Sequence, residues 1–242
     1  MPARCAVAVL LSPYHPGMKS ELSNPQTLND RMAELIRQKI VHGEFTPGQR
    51  LSEAALSESL EISRNTLREV FRLLTKEGLL KHEPNRGVFV AIPSIASIID
   101  IYRVRRLIEC QALAQAYPRQ PAKKHLRDAV EMALRCRDAG DWQGVGTANM
   151  EFHMAIVELA DSERLNVVFS HLLAELRLAF GLLNDPEFLH MPYVEMNVNI
   201  LELFEAGKLQ EAAAALNEYL VHSERIVLAV YARRISDGGQ PK

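Results

Sequence analysis

The sequence is short of the residues that mark several classes of protein. Only three of its 242 residues are cysteine, namely Cys5, Cys110 and Cys136, and none belongs to a CxxC pair. Three thiols without that spacing give neither a disulfide framework nor a thiolate zinc site. Aromatic residues make up 6% of the chain, with a single Trp, and no apolar run approaches the roughly 18 residues of a membrane-spanning helix. We therefore expect a cytoplasmic protein without disulfides that has no membrane partner.

The chain also lacks an excess of one charge. Lys and Arg number 28 against 30 Asp and Glu, which gives a net charge of −2. A weakly acidic chain is not a general nucleic-acid-coating protein. Any contact with a polyanion must come from a local cluster of basic residues.

Motifs of the common catalytic sites are missing as well. The sequence has no HExxH, no Gly-rich phosphate loop and no nucleophile motif. This argues against an enzyme. A metal-binding or enzymatic helical bundle is kept as an alternative.

Two terminal segments are predicted to be disordered, residues 1–26 and residues 235–242. The leader MPARCAVAVLLSPYHPG has one Arg and an apolar run of only seven residues, the minimum for a signal-peptide core. The tail contains SDGGQPK, which is rich in turn-forming residues.

Residues 27–92 carry the pattern of a winged helix-turn-helix domain. Apolar residues recur at helical spacing from Leu28 to Val41, and Gly43 ends that helix. Ser52 and Ser63 are good N-caps for two short helices joined by a tight turn, which predicts a helix-turn-helix. LLKHEPNRGVFVAI, residues 79–92, predicts a β-hairpin, or wing.

The remainder has a different character, with long amphipathic runs and few Gly or Pro. No strand is predicted there, so residues 95–234 are expected to form an antiparallel α-helical bundle of about six helices, and the fold class is mainly α. The predicted helices lie roughly at 95–117, 121–139, 141–160, 162–184, 190–206 and 208–234.

Four cations lie along the third predicted helix, four residues apart, namely Arg64, Arg68, Arg72 and Lys76. A basic row is often only a solvated face. This row starts at the N-terminus of the second helix of a helix-turn-helix, which is the part of that motif that enters the DNA major groove. Arg64 or Arg68 is predicted to bind a guanine edge through two nitrogens of its guanidinium. Arg72 and Lys76 are predicted to contact the DNA backbone.

Further contacts with the duplex are predicted around this row. Short polar side chains and a glycine turn suit phosphate and the minor groove. The candidates are Ser63 and Thr66 for phosphate, Asn65 for phosphate or a base edge, Arg86 with Gly87 for the minor groove, and Arg50 for phosphate.

The predicted DNA-binding domain is not strongly basic. Residues 28–91 hold ten Lys and Arg against nine Asp and Glu, so their net charge is only +1. One such domain would bind DNA modestly, which favours a homodimer on a two-fold operator.

The N-terminal residues closely resemble the DNA-binding domain of GntR-type bacterial transcription regulators. The resemblance rests on PG-x-RLSE, SR-x-x-[LV]RE, L-x-x-EGL and NRG-x-FV. The second half is similar to the FadR C-terminal ligand-binding domain, on YRVRRLIECQALA, the AGD turn, N-x-x-FH followed by ELADSERL, and AGKLQEAAAAL. It extends over about residues 28–234.

The resemblance implies a homodimeric repressor or activator of metabolic genes. A small metabolite, typically a carboxylate, would enter the bundle and shift the two DNA-binding heads, so that effector and operator each change the other's affinity. The implied effector-binding residues are Arg105, Asn149, His153, Asn197 and Tyr219. Two simpler interpretations stay open. Arg105 could merely pair with Glu109, and His153 could be an interior residue. The bundle could also serve dimerisation alone.

The chain departs from the family pattern in three places. Glu61 stands where the turn between the second and third helices usually has Gly, and Ala54 where the fatty-acid-responsive branch has Arg. Many members hold a divalent metal with one Asp and three His. The matching positions are Asn149, His153, Asn197 and Tyr219, of which only His153 keeps the expected ligand. No metal or other cofactor is therefore expected, unless His153 joins His222, His190 or His171 in a rearranged site.

Overall fold

A computed structural model describes residues 27–41, 43–117, 121–182 and 185–236. The predicted leader, 1–26, and residues 237–242 of the predicted tail lie outside this range. Within the described residues the chain forms nine helices and one three-stranded sheet. The prediction of a mainly α fold is confirmed.

The head, residues 27–92, contains helices α1 (Leu28–Val41), α2 (Glu53–Ser59) and α3 (Arg64–Lys76). Ser52 Oγ accepts a hydrogen bond from Ala55 N at 3.3 Å, and Ser63 Oγ accepts one from Thr66 N at 3.0 Å. These caps satisfy backbone groups that the first turn of a helix leaves unpaired. Both helices therefore begin at the serines that the sequence indicated.

The turn between α2 and α3 places Glu61 at a φ of 53°. This is the left-handed conformation, in which a residue with a Cβ costs about 1 kcal/mol relative to Gly. The glutamate therefore adopts the conformation that the usual Gly would adopt, and the helix-turn-helix still forms.

The sheet has strands β1 (Arg50–Leu51), β2 (Leu80–Glu83) and β3 (Gly87–Val90). Its order is β1-β3-β2 and both pairs are antiparallel. The β2–β3 hairpin is the predicted wing. Strand β1 was not predicted, because its two residues belong to GEFTPGQRL, a segment that was assigned to a turn.

The described part of the bundle, residues 95–117, 121–182 and 185–236, forms six helices, as predicted. They are α4 (Ile95–Ala114), α5 (Ala122–Asp138), α6 (Trp142–Glu158), α7 (Glu163–Phe180), α8 (Pro186–Glu205) and α9 (Leu209–Ser236). Helix α4 packs on α9, α5 on α6, and α8 on both α6 and α9.

Five helix boundaries of the bundle differ from the prediction by two residues or more. Helix α4 ends at Ala114 and not at 117, α6 ends at Glu158 and not at 160, and α7 ends at Phe180 and not at 184. Helix α8 begins at Pro186, not near residue 190, because Asp185 Oδ1 accepts a hydrogen bond from Phe188 N at 3.0 Å and proline suits the first helical position. Helix α9 continues to Ser236, so residues 235 and 236 are helical. The predicted start of the tail, residue 235, is therefore two residues too early.

Helix α7 belongs to both parts of the molecule. Its Ala174 and Leu178 are buried in the hydrophobic core of the head. Arg177, on the same helix, donates from Nε to the carbonyl oxygen of Val41 at 2.9 Å. Val41 ends α1, so the guanidinium lies at the negative end of the α1 dipole. Helix α7 thus joins the head to the bundle.

Candidate DNA-binding surface and effector site

The N-terminal turn of α3 is open and polar. Arg64 and Asn65 are exposed and Thr66 is half-buried. The hydroxyls of Ser63 and Thr66 lie 2.8 Å apart. Backbone N–H groups at the start of a helix attract anions, so this turn is suited to a phosphate.

The four cations of α3 lie on its exposed face. On the opposite face, Leu67, Val70 and Leu74 have no exposed surface and hold the helix against the head. The surface that carries Arg64, Arg68, Arg72 and Lys76 is thus both rigid and accessible.

Two of these cations have acidic partners. Arg68 Nε lies 3.0 Å from Glu53 Oε2, and Arg72 pairs with Glu69 one turn earlier. Arg64 forms no ion pair with any other residue that the structure describes. The surface field is therefore weaker than four cations alone would give, and Arg64 and Lys76 are the two cations of this face that have no ion pair among the described residues.

The wing brings Arg86, Gly87 and Arg50 together. Arg86 pairs with Glu83, and its guanidinium carbon lies 5.4 Å from the centre of the Phe89 ring. Gly87 has a φ of 109°, and a Cβ at this position would lie 3.4 Å from Arg50 Nε. Strand β1 pairs with β3, and this pairing places Arg50 at the wing although 36 residues separate it from Arg86.

Two open grooves border these residues. The first has a volume of about 620 Å³ and the second about 400 Å³. Glu53 and Val88 line both grooves; Arg68, Arg72, Lys76 and His82 line only the first, and Arg50 and Gly87 only the second.

A buried charged cluster lies inside the bundle. Glu109 of α4 accepts from Arg105 Nε on Oε1 at 2.7 Å and from His153 Nδ1 on Oε2 at 2.6 Å. The exposed fractions of Arg105, Glu109 and His153 are 2%, 0% and 1%. A single carboxylate therefore joins α4 to α6.

Polar side chains from three helices form a second cluster. Asn149 Oδ1 accepts from Asn197 Nδ2 at 2.8 Å and from Tyr219 OH at 3.0 Å. The rings of Tyr219 and His153 are 5.0 Å apart, centre to centre. All five residues predicted to bind an effector are thus buried in one connected group.

Burial and charge set the protonation states of the group. Burial alone would raise the pKa of Glu109, but Arg105 and His153 hold it below its usual value. Burial lowers the pKa of His153, and the charge of Glu109 offsets this only in part. His153 is therefore neutral, with its Nδ1–H donating to Glu109. Burial also raises the pKa of Tyr102, beside Arg105, to about 12.

Three atoms of this group have no hydrogen-bond partner among the described residues, namely Arg105 Nη2, His153 Nε2 and Asn197 Oδ1. Buried polar atoms in folded proteins are nearly always paired. One donor, the Arg105 nitrogen, and two acceptors are thus available to a molecule that enters the bundle.

The described residues contain no group of three or more His, Cys, Asp or Glu that could hold a metal ion. At the family's metal positions, Asn149 forms hydrogen bonds with Asn197 and Tyr219, and only His153 is a strong metal ligand.

The other candidate histidines do not complete a metal-binding group with His153 among the described residues. His222 is exposed on α9. His190 lies at the α7–α8 contact, and His171 Nε2 lies 3.8 Å from Glu77 in the head. The described residues at these positions do not fit a tight divalent metal.

Comparison with known proteins assigns the family. The model for bacterial regulatory proteins of the gntR family matches residues 28–90, and the FCD domain model matches residues 100–222, just over half of the chain. The chain belongs to the GntR family. Its second domain is an FCD domain, and the resemblance noted in the sequence is confirmed.

Two solved structures share this fold. A GntR transcriptional regulator of Rhodococcus sp. RHA1 is 35% identical, with a TM-score of 0.79 over 84% of this chain and 98% of that chain. McbR/YncC of E. coli has a TM-score of 0.72 over 85% of this chain and 99% of that chain at 20% identity, which shows the fold alone.

Curated relatives are named as transcriptional regulators and not as enzymes. YdhC of Bacillus subtilis is 27% identical over 56% of this chain and 62% of its own length. The Nta operon transcriptional regulator of Aminobacter aminovorans is 31% identical over 50% and 58%, and the repressor RspR of Escherichia coli is 32% identical over 41% and 43%. The chain thus spans about half the length of these relatives.

Among the described residues, no helix is both long and apolar enough to span a membrane.

Sequence reasoning missed several members of these sites. Tyr102 donates or accepts at 2.7 Å with Ser223, 121 residues away, and Tyr193 packs on Tyr219 with ring centres 4.8 Å apart. No spacing within one helix indicates Glu53 as a partner of Arg68, because the two residues lie 15 positions apart on different helices. One signal was present for Tyr102, because it lies on the same face of α4 as Arg105 and Glu109 at helical spacing.

Proposed function

We propose that the protein is a ligand-responsive, sequence-specific DNA-binding transcriptional regulator that acts as a cytoplasmic homodimer. The observation that carries this proposal is the exposed cationic face of α3, which starts at a capped helix N-terminus beside a wing. Such a helix fits the major groove, and the wing adds contacts outside it. The modest net charge of the head supports two heads on a two-fold operator, and the name of RspR supports repression.

Within this function, each predicted contact has a role. Arg64 and Arg68 bind base edges, and Ser63, Asn65 and Thr66 hold phosphate or base edges at the start of α3. Arg86 and Gly87 enter the minor groove or its rim, and Arg50 contacts phosphate. Arg64 needs no rearrangement to reach DNA, because it has no acidic partner among the described residues.

The DNA-binding half is tested by fluorescence anisotropy on a duplex selected from a random pool. Arg64→Ala with Arg68→Ala should lower affinity for the selected duplex about 30-fold or more, since each bidentate base contact contributes about 1–3 kcal/mol. The matched control, Arg72→Ala with Lys76→Ala, should weaken the selected and a scrambled duplex by the same factor. A wild-type protein that binds no duplex at low salt would refute the proposal.

The effector is proposed to be a small organic acid that binds the buried group of the bundle. Arg105 Nη2 can donate to a carboxylate oxygen, and His153 Nε2 and Asn197 Oδ1 can accept from hydroxyl groups of the same molecule. Because Glu109 already neutralises Arg105, the acid must supply such further contacts. Asn149 accepts from Asn197 and so holds it in place, and Tyr219 in turn donates to Asn149.

A thermal-shift screen of small carboxylic and hydroxycarboxylic acids tests this part. An acid present at 100 times its Kd should raise the free energy of unfolding by about 2.7 kcal/mol. Asn197→Leu should abolish that shift and leave the Arg105–Glu109–His153 cluster intact. The control Gln111→Ala, on the exposed side of α4, should keep the shift. If no acid stabilises a protein that still binds its operator, the bundle serves dimerisation alone.

A further inference from the structure

Glu53 forms an ion pair that joins the two helices of the helix-turn-helix. It is the first residue of α2, and its Oε2 accepts from Nε of Arg68, 15 residues later on α3. We propose that Glu53 is a positioning residue for DNA recognition, which holds the guanidinium of Arg68 so that its terminal nitrogens face the base edges. This inference rests on the proposed function.

The geometry of the bond supports this role. Glu53 engages Nε of Arg68 at 3.0 Å, so this bond leaves the two terminal nitrogens for other partners. The guanidinium group is planar and rigid, and one hydrogen bond at Nε restricts the direction in which the rest of it points. A guanine edge is bound by such a pair of donors.

Glu53 is itself well placed to act as an anchor. It follows Ser52, the N-cap of α2, and a carboxylate in the first turn of a helix is stabilised by the helix dipole. Its side chain is 35% exposed against 56% for that of Arg68. Glu53 also lies where the two grooves beside α3 and the wing meet, since it lines both.

The other acidic partner on α3 lacks these properties. Glu69 pairs with Arg72 within the same helix, one turn away, and both side chains are more than half exposed. That pair therefore does not connect α3 to another secondary-structure element. Arg72 also lies two turns into α3, beyond the N-terminal part of the helix that reads bases in this motif.

The expected effect is on the ratio of operator affinity to non-specific affinity. An exposed ion pair contributes little to stability, and a carboxylate near DNA repels phosphate. Such a residue is unfavourable for non-specific binding and becomes useful only where the orientation of Arg68 matters. It therefore separates the operator from other sequences.

The test compares Glu53→Gln with Glu69→Gln, each of which removes one negative charge from the same surface. Affinities are measured for the selected operator and for a scrambled duplex of equal length. Glu69→Gln should raise the affinity for both duplexes by the same factor, so the ratio of the two affinities stays unchanged. Glu53→Gln should raise the affinity for the scrambled duplex only, and the ratio of operator to scrambled affinity should fall about tenfold. Both variants should have the same Tm as the wild type.

A double-variant cycle shows whether Glu53 acts through Arg68. In an Arg68→Met background, Glu53→Gln should not lower the ratio further, because there is no guanidinium left to orient. The inference is overturned if Glu53→Gln leaves the ratio unchanged, or if it lowers the ratio equally with Met at position 68. Absence of selective binding by the wild type would instead refute the proposed function.

Discussion

His190 is a buried histidine, and no carboxylate among the described residues pairs with it. It is 4% exposed, its ring centre lies 5.6 Å from that of Phe180, and Nδ1 has no hydrogen-bond partner among the described residues. Burial, assisted by the nearby charge of Arg177, lowers its pKa to about 4. The folded protein therefore keeps this residue neutral at pH values where the unfolded chain protonates it.

The sign of the resulting pH dependence follows from proton binding. Between about pH 6.5 and pH 4 the unfolded state binds the additional proton, so stability falls as the pH falls. A shift of this size corresponds to about 3 kcal/mol by pH 4. His190→Gln should remove this loss, as measured by urea unfolding at pH 7, 5.5 and 4. If wild type and variant lose stability in parallel, His190 is not responsible.

Residue patterns could predict local pairs but not distant ones. The Arg105–Glu109 pair follows from a spacing of four residues on one helix, and it is present. The contact between Glu109 and His153 joins residues 44 apart, and that between Asn149 and Tyr219 residues 70 apart. Such contacts depend on how helices pack, which periodicity within one helix does not specify.

At the scale of elements, the N-cap of α3 serves both folding and the proposed DNA contact. Ser63→Ala should cost about 1 kcal/mol, because it leaves Thr66 N without its acceptor. It should also weaken operator binding, since the turn that faces phosphate loses its geometry. Urea unfolding and anisotropy measure the two effects.

Ser94→Ala is the matched control. Ser94 caps α4 by accepting from Ser97 N at 3.0 Å, the same distance as at Ser63, but it lies at the start of the bundle. It should lose similar stability and keep its operator affinity. Equal loss of binding in both variants would mean that α3 has no special contact with DNA.

Elements with strong local signals were predicted, and the exceptions have identifiable causes. The serine caps fixed the starts of α2 and α3, and the Pro-Asn-Arg-Gly turn fixed the wing. Strand β1 has only two residues and exists because β3 pairs with it. Helix α8 starts before the predicted position because Pro186 favours the first turn, and it tolerates Pro192 in its interior.

At the scale of the whole molecule, α7 and α8 connect the buried effector candidates to the head. Helix α8 carries Asn197 of the buried group and Tyr193, which packs on Tyr219. One turn before Tyr193 it carries His190, which lies beside Arg177. Arg177 in turn holds the carbonyl of Val41 at the end of α1. A shift of α8 when a ligand binds would therefore reach the head through a contiguous set of contacts.

Gly146 of α6 provides a test of this connection. A Cβ at this position would lie 2.6 Å from His190 Nε2 and 2.7 Å from Arg177 Nη1, closer than real Cβ contacts. Gly146→Ala should therefore displace Arg177 from Val41, at a cost of about 1–3 kcal/mol typical of overpacking. Hydrogen exchange should become faster in the last turn of α1. Operator affinity should fall, because two heads on one operator need a fixed spacing.

The double variant separates this path from a general loosening of the bundle. Arg177→Met removes the donor to Val41, so it should itself speed exchange at the end of α1. Adding Gly146→Ala to it should speed that exchange no further if the Cβ acts through Arg177. Additive effects, or faster exchange throughout α5 and α6 with α1 unchanged, would mean that Gly146 matters only to packing inside the bundle and that Arg177 does not position the head.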